Sequence, residues 1–405
     1  MPKDHCRPIP AAPLQRDFAT AAARAGIETD SQFGAVMPPL HLSVNFSFAG
    51  YGQKRRYDYT RSGNPTRDLL AGALAELESG AGCVVTASGM ASVSLLLQLL
   101  DAGDRLVVPH DCYGGSYRLF TAWARKRYFE LEVVDMTDLP ALDAALAAKP
   151  RLVWLETPSN PLLRITDIAE VARRCHAAGS LVVVDNTFLS AAWQQPLGLG
   201  ADFVLYSTTK YINGHSDVVG GAVISADAAL HEQLGWWANC LGLTGAPFDS
   251  YLTLRGLRTL PARLRLHEEN AAAAVELLAR QPGVRRVHYP GLASHPGHML
   301  AARQQRSFGA LVSFELEGGE LAVRRFVSGL RCITLAESLG GVETLVAHPA
   351  TMTHAAMDPE ARRRAGIGDS LLRLSVGIEA AADLLRDLQA ACERADVSKA
   401  RERQA

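Results

Sequence analysis

Ser207, Thr208, Thr209 and Lys210 directly follow an apolar run, Phe203-Val204-Leu205-Tyr206. An amine at the edge of a core is desolvated, and desolvation loosens its hold on its proton. Such a lysine is a usable nucleophile toward an aldehyde, and pyridoxal phosphate (PLP) is the common aldehyde cofactor. The hydroxyls beside it suit a phosphate. Taken alone, the stretch is equally a surface lysine after a strand.

Three more stretches follow apolar runs and are polar where a loop need only be bland. Ser88-Gly89-Met90 places a glycine before a helix, and free amides at a helix N-terminus bind phosphate. The alternative is an ordinary turn. His110-Asp111-Cys112-Tyr113-Gly114-Gly115 offers Tyr113 as a flat ring over a planar cofactor, or as a surface tyrosine in a glycine-rich turn. Asp185-Asn186-Thr187 offers a carboxylate that could pair with a cationic ring nitrogen, or simply cap a turn. Asp185 and Lys210 are 25 residues apart, the length of one crossover and a strand. They are expected at the ends of neighbouring strands. Farther on, Leu371-Leu372-Arg373-Leu374 buries an arginine in a strand. That charge needs an internal salt bridge or the carboxylate of a substrate. There is no GxGxxG and no Walker A motif, which disfavours a nucleotide cofactor.

These residues need a scaffold. Apolar runs at 83–85, 105–108, 131–134, 152–155, 181–184, 203–206 and 220–224 alternate with helical periods at 91–100, 116–127, 139–147 and 168–178. Almost wholly apolar strands alternating with helices predict a mainly parallel sheet covered on both faces. Ligands in such folds bind beyond the carboxyl ends of the strands. Asn64-Pro65 predicts a helix start. Residues 1–61 read as an extended apolar arm, because Pro38-Pro39 forbids a helix interior and Phe46, Phe48 and Tyr51 lack helical period. An arm this apolar is expected to pack on a neighbouring subunit. Residues 62–256 form the large cofactor-binding domain in this reading. Residues 257–405 form a smaller α+β domain with strands at 310–314 and 371–376 and a charged, frayed tail at 397–405.

Composition is consistent with this. Apolar residues make up 48% and charged residues 20%, ordinary for a globular protein. Lys+Arg is 41 against Asp+Glu 42, so no global field draws in nucleic acid or an anionic membrane. No apolar run is long enough to span a bilayer, and Met1 to Cys6 is not a signal peptide. Seven scattered cysteines without a CxxC pair suggest reduced thiols in a cytoplasm, and no metal site is expected.

Several motifs carry a family resemblance over residues 34–388. They are Tyr59-Thr60-Arg61-Ser62-Gly63-Asn64-Pro65-Thr66, His110 to Arg118, Thr157-Pro158-Ser159-Asn160-Pro161, Val184 to Thr187, Ser207 to Tyr211 and Leu335 to Gly341. The chain resembles the PLP-dependent enzymes of cysteine and methionine metabolism, and among them the bacterial cystathionine γ-synthases. The resemblance implies a type I PLP fold, like that of aspartate aminotransferase, and a homotetramer built as a dimer of dimers. It implies Lys210 as the cofactor-bound lysine, Asp185 as the ring-nitrogen partner and Tyr113 as the stacking ring. Gly89, Met90, Ser207 and Thr209 match phosphate contacts within a subunit. Tyr59 and Arg61 match contacts to the phosphate of a neighbouring subunit's cofactor. Asn160 matches a residue near the cofactor's phenolic oxygen, and Arg373 the residue that binds the substrate α-carboxylate. Arg118, Glu337 and Ser338 join the substrate side, and Tyr59 or Tyr113 is the candidate proton donor to the leaving group. The implied reaction converts O-succinyl-L-homoserine and L-cysteine into L-cystathionine and succinate. A cystathionine γ-lyase or an O-acyl-homoserine sulfhydrylase is the alternative. Ser62 stands where the best-known bacterial synthases have an arginine, which leaves the acyl preference open.

Overall fold

Alternate residues of each central strand pack into different cores. Leu152, Trp154, Val183, Phe203 and Leu205 face one side with Leu95, Leu96 and Phe120. Val153, Leu155, Val182 and Val184 face the other with Leu142, Ile168 and Val171. Full burial is worth about 1.5–3 kcal/mol for each such side chain, and both faces contribute. That is why these strands show no polar alternation.

In the computed structural model, which describes residues 16–355, 357 and 359–396, seven strands form one sheet. They are β1 (Gly82–Thr86), β2 (Arg105–Pro109), β3 (Glu130–Val134), β4 (Leu152–Glu156), β5 (Leu181–Asp185), β6 (Phe203–Tyr206) and β7 (Gly221–Ser225). The order across the sheet is β1-β7-β6-β5-β4-β2-β3. Strands β2 to β6 are mutually parallel, as expected. Strand β7 runs antiparallel to both of its neighbours. The reason is the connection from Tyr206 to Gly221, which holds the lysine loop and no crossover helix, so the chain must double back.

A second sheet has five strands: β8 (Val284–His288), β9 (Leu311–Leu316), β10 (Thr334–Leu335), β11 (Leu345–Ala347) and β12 (Leu371–Ser375). Only β9 and β12 were anticipated from sequence. Strand β8 is half exposed, and β10 and β11 are too short to show a period. The arm also differs from expectation, since Phe18–Ala23 is helical with Asp17 as its cap. The expected frayed tail lies outside the described residues. No helix among the described residues is long and apolar enough to cross a membrane.

Asn64 performs the predicted helix start. Its Oδ1 accepts from the N–H groups of Thr66 at 2.9 Å and Arg67 at 3.3 Å, at the head of the Pro65–Glu78 helix. Its Nδ2 donates to the His41 carbonyl at 3.0 Å and to Thr60 Oγ1 at 3.2 Å, pinning the arm to that helix. All four contacts are lost in Asn64→Ala, and the freed amides of Thr66 and Arg67 are buried. The expected loss is about 2 kcal/mol, read as a lower denaturant midpoint at an unchanged slope.

Candidate active site

A cavity of about 320 Å³ opens beyond the carboxyl ends of β2, β4, β5 and β6. Its wall brings together Gly89, Met90, Tyr113, Asn160, Asp185, Ser207, Thr209, Lys210, Glu337, Ser338 and Arg373. Those residues are spread over 285 positions of sequence, and the two sheets meet to assemble them.

One end of the cavity suits a phosphate. Ser88 caps the Gly89–Leu96 helix through its side chain, and the first-turn amides of Gly89 and Met90 lie ahead of the helical hydrogen-bond ladder. The hydroxyls of Ser207 and Thr209 face them across the cavity. A Cβ built on Gly89 would lie 2.9 Å from the Ser207 Cβ. Any larger residue there would push the helix away from the β6 loop. Thr209 Oγ1 accepts the Gly220 N–H at 2.9 Å, and Ser207 N donates to Thr187 Oγ1 at 2.9 Å, so this loop is held on both sides.

The floor is acidic. Asp185 ends β5, paired in register with Leu205 of β6, as its distance in sequence from Lys210 predicted. Its Oδ1 accepts the Thr187 N–H at 3.1 Å. Burial raises its carboxyl to about 6. A cation placed against it would restore the ionised form.

At the other end, Lys210 Nζ donates to Ser338 Oγ at 2.9 Å. Burial, then the nearby Arg373 charge, lowers this amine to about 8. Arg373 is 2% exposed. It donates to Asn160 Oδ1 and to the Ser338 carbonyl, both at 2.9 Å. Among the described residues its Nε has no partner, and no carboxylate of theirs lies within ion-pair distance. The expected choice between an internal salt bridge and a ligand carboxylate thus loses its first option. Ser338, at φ 93°, joins the two cations through its hydroxyl and its carbonyl.

Three residues expected at the site lie outside the cavity wall of this chain. Tyr59 is exposed, and the Arg61 guanidinium sits 5.7 Å from the Tyr59 ring centroid and donates to the Asn239 carbonyl at 2.7 Å. Arg118 is exposed on the Gly114–Arg125 helix, close enough for its charge to act on Tyr113. One residue was missed. Glu156 closes β4, lines the cavity and accepts the Tyr113 N–H at 2.8 Å. The signal was available, since Glu156 follows Leu152 to Leu155 just as Asp185 follows Leu181 to Val184.

Over residues 19–393 the chain matches the family described as Cys/Met metabolism PLP-dependent enzyme. It belongs to that family. Among relatives, it is 55% identical to cystathionine gamma-synthase of Escherichia coli over 377 residues, covering 93% of this chain and 98% of that one. It is 65% identical to cystathionine gamma synthase from Xanthomonas oryzae, crystallised in complex with aminoacrylate and cysteine. There the TM-score is 0.94, over 95% of this chain and 100% of that one. Cystathionine gamma-lyase from Lactobacillus plantarum, complexed with L-serine, is 41% identical with a TM-score of 0.91, over 94% of this chain and 99% of that one. The fold is therefore the type I PLP fold and the cofactor is PLP. The cavity fits that cofactor in this family member: hydroxyls and helix amides at one end, a carboxyl on the floor, and a desolvated amine within the same wall.

Proposed function

We propose that the chain catalyses γ-replacement, converting O-succinyl-L-homoserine and L-cysteine into L-cystathionine and succinate. Arg373 carries this reading. A buried guanidinium without a carboxylate partner, 2.9 Å from Asn160 and from Ser338, is a seat for the α-carboxylate of an amino acid. The likeness to synthases, one of them crystallised with aminoacrylate and cysteine, supports the amino-acid substrate class.

The cofactor, when bound, supplies an electron sink for negative charge at the α-carbon. Asp185 would keep its ring nitrogen cationic. Gly89, Met90, Ser207 and Thr209 would anchor its phosphate, and Tyr113 would cover its ring. Arg373 fixes the substrate carboxylate, which aims the α-hydrogen at Lys210. Lys210, at about 8, can both accept and release a proton near neutral pH. It takes the α-proton and then moves protons between neighbouring carbons. Ser338 orients both cations at once. The Cγ–oxygen bond breaks as succinate leaves, and the cysteine sulfur forms the new bond to Cγ. Glu337 and Arg118 stand at the mouth, placed to meet the incoming amino acid.

We further place this chemistry in a cytoplasmic homotetramer with residues 1–61 as an intersubunit arm, 62–256 as the cofactor-binding domain and 257–405 as the second domain. Phe33, Val36 and Leu42 of the arm are 81%, 66% and 62% exposed in the single chain, an apolar surface that a second copy would cover. In that arrangement Tyr59 and Arg61 complete the phosphate end of a neighbouring chain's cavity.

Product analysis tests the reading. Purified protein given O-succinyl-L-homoserine and L-cysteine is expected to form cystathionine and succinate. Given cystathionine alone, it is expected to form much less 2-oxobutanoate. Faster breakdown of cystathionine would make it a γ-lyase, and a clear preference for O-acetyl-homoserine would sink the succinyl assignment.

A further inference from the structure

Glu156 is a buried carboxyl in the cavity wall that the chemistry above does not use. It ends β4 in register with Asp185, which ends β5. Adjacent strands lie about 4.8 Å apart, so the two carboxyls spring from neighbouring backbone positions. Glu156 Oε2 accepts the Tyr113 N–H at 2.8 Å, and Glu156 closes the strand that runs on into the loop carrying Asn160. Tyr113 heads the Gly114–Arg125 helix with no side-chain cap of its own, so Glu156 supplies an acceptor at that helix start. Asn160, in turn, holds Arg373 through its side chain.

We propose that Glu156 is a positioning residue of the cofactor site, whose carboxyl ties the loop carrying the Tyr113 ring to the end of β4, from which the chain runs on to Asn160 and its hold on Arg373. The inference rests on the cofactor placement given above. The groups facing Glu156 are Asp185 from β5, Asp111, Cys112 and Tyr113 from the loop after β2, and Arg373 from β12. Burial first, and then the Asp185 charge, push its carboxyl well above the usual range. Two carboxylates this close do not both ionise cheaply. A cationic ring nitrogen claims the ionised form at Asp185, and the proton stays on Glu156. A protonated carboxyl still accepts through Oε2, so the group works by hydrogen bonding and not by charge.

An amide should therefore replace it. The test measures PLP affinity of the stripped protein by fluorescence quenching. It also measures KM and kcat separately, and the pH transition of the bound cofactor's visible absorbance. Glu156→Gln is expected to stay within about threefold of the unsubstituted protein in PLP Kd and KM, with the absorbance transition unmoved. Glu156→Leu is expected to raise both constants about tenfold or more, with a smaller fall in kcat. Equal damage from Gln and Leu would overturn the proposal, because charge would then be the essential property. Equal harmlessness would overturn it as well. Should Glu156→Leu fail to fold, Glu156→Gln alone decides. Loss of an ionised neighbour would move the absorbance transition down by about one unit or more, whereas loss of a neutral one would not. If the unsubstituted protein failed to bind PLP, the cofactor placement would fall instead, which keeps the two failures distinct.

Discussion

Lys210→Ala is expected to lower turnover by about 10³-fold or more and to remove the visible absorbance of lysine-linked cofactor. The amine has three jobs in the proposed chemistry: it holds the cofactor, takes the α-proton and relays protons afterwards. The variant should still bind PLP noncovalently, because the phosphate seat at Gly89, Met90, Ser207 and Thr209 is untouched. Full activity in this variant would end the enzyme reading. The same amine predicts a pH dependence. Only the neutral amine attacks an aldehyde, and burial lowers Lys210 to about 8. Capture of PLP by stripped protein should therefore speed up as pH rises through about 8 and level off above it. Stability follows the same group. Its folded value lies below the ordinary 10.5, so between about 8 and 10.5 the unfolded chain holds the extra proton. Stripped protein should gain stability from this group as pH rises through that window, and the gain should be absent from Lys210→Ala.

Much of this site was legible in sequence because each element wrote its own signal. Asp185 ends β5, and Lys210 and Gly89 lie in the short loops that follow β6 and β1, where an apolar run gives way abruptly to polar residues. In a parallel sheet those stops all fall at one edge, so finding the strands also located the cavity. Glu156 obeyed the same rule but was passed over, although Leu152 to Leu155 lead into it just as Leu181 to Val184 lead into Asp185. The direction of β7 was hidden for another reason. An apolar five-residue run carries no polarity, and only the length and content of the preceding connection decide it. The second sheet was half visible, since strands of two and three residues owe their existence to tertiary pairing. The arm's helix at Phe18–Ala23 is one and a half turns long and held by its Asp17 cap, too short for a period to show. Tyr59, Arg61 and Arg118 were named through the family resemblance, and the cavity of one chain does not contain them.

Arg373→Leu is expected to separate stability from function. Binding of the amino-acid substrate should weaken about 100-fold or more, because two charge-assisted hydrogen bonds to the α-carboxylate are lost. Arg373→Lys should recover only part of this, since an ammonium keeps the charge but not the planar fork. An amine substrate lacking the α-carboxylate should bind the leucine variant and the unsubstituted protein alike. A similar penalty for that amine would mean that Arg373 acts by packing and not by gripping a carboxylate. The melting temperature of substrate-free protein should move the opposite way to substrate affinity. Arg373 is buried, its Nε is unpartnered and it meets no carboxylate, and burial lowers its guanidinium to about 10. Desolvating a charge without a counter-ion costs about several kcal/mol, and leucine removes that cost while filling part of the space. An unchanged or higher melting temperature together with lost substrate binding is the expected pair of results. A sharp drop in melting temperature would show that Arg373 holds the strand ends together through Asn160 and Ser338, and the carboxylate seat would have to be sought elsewhere in the wall.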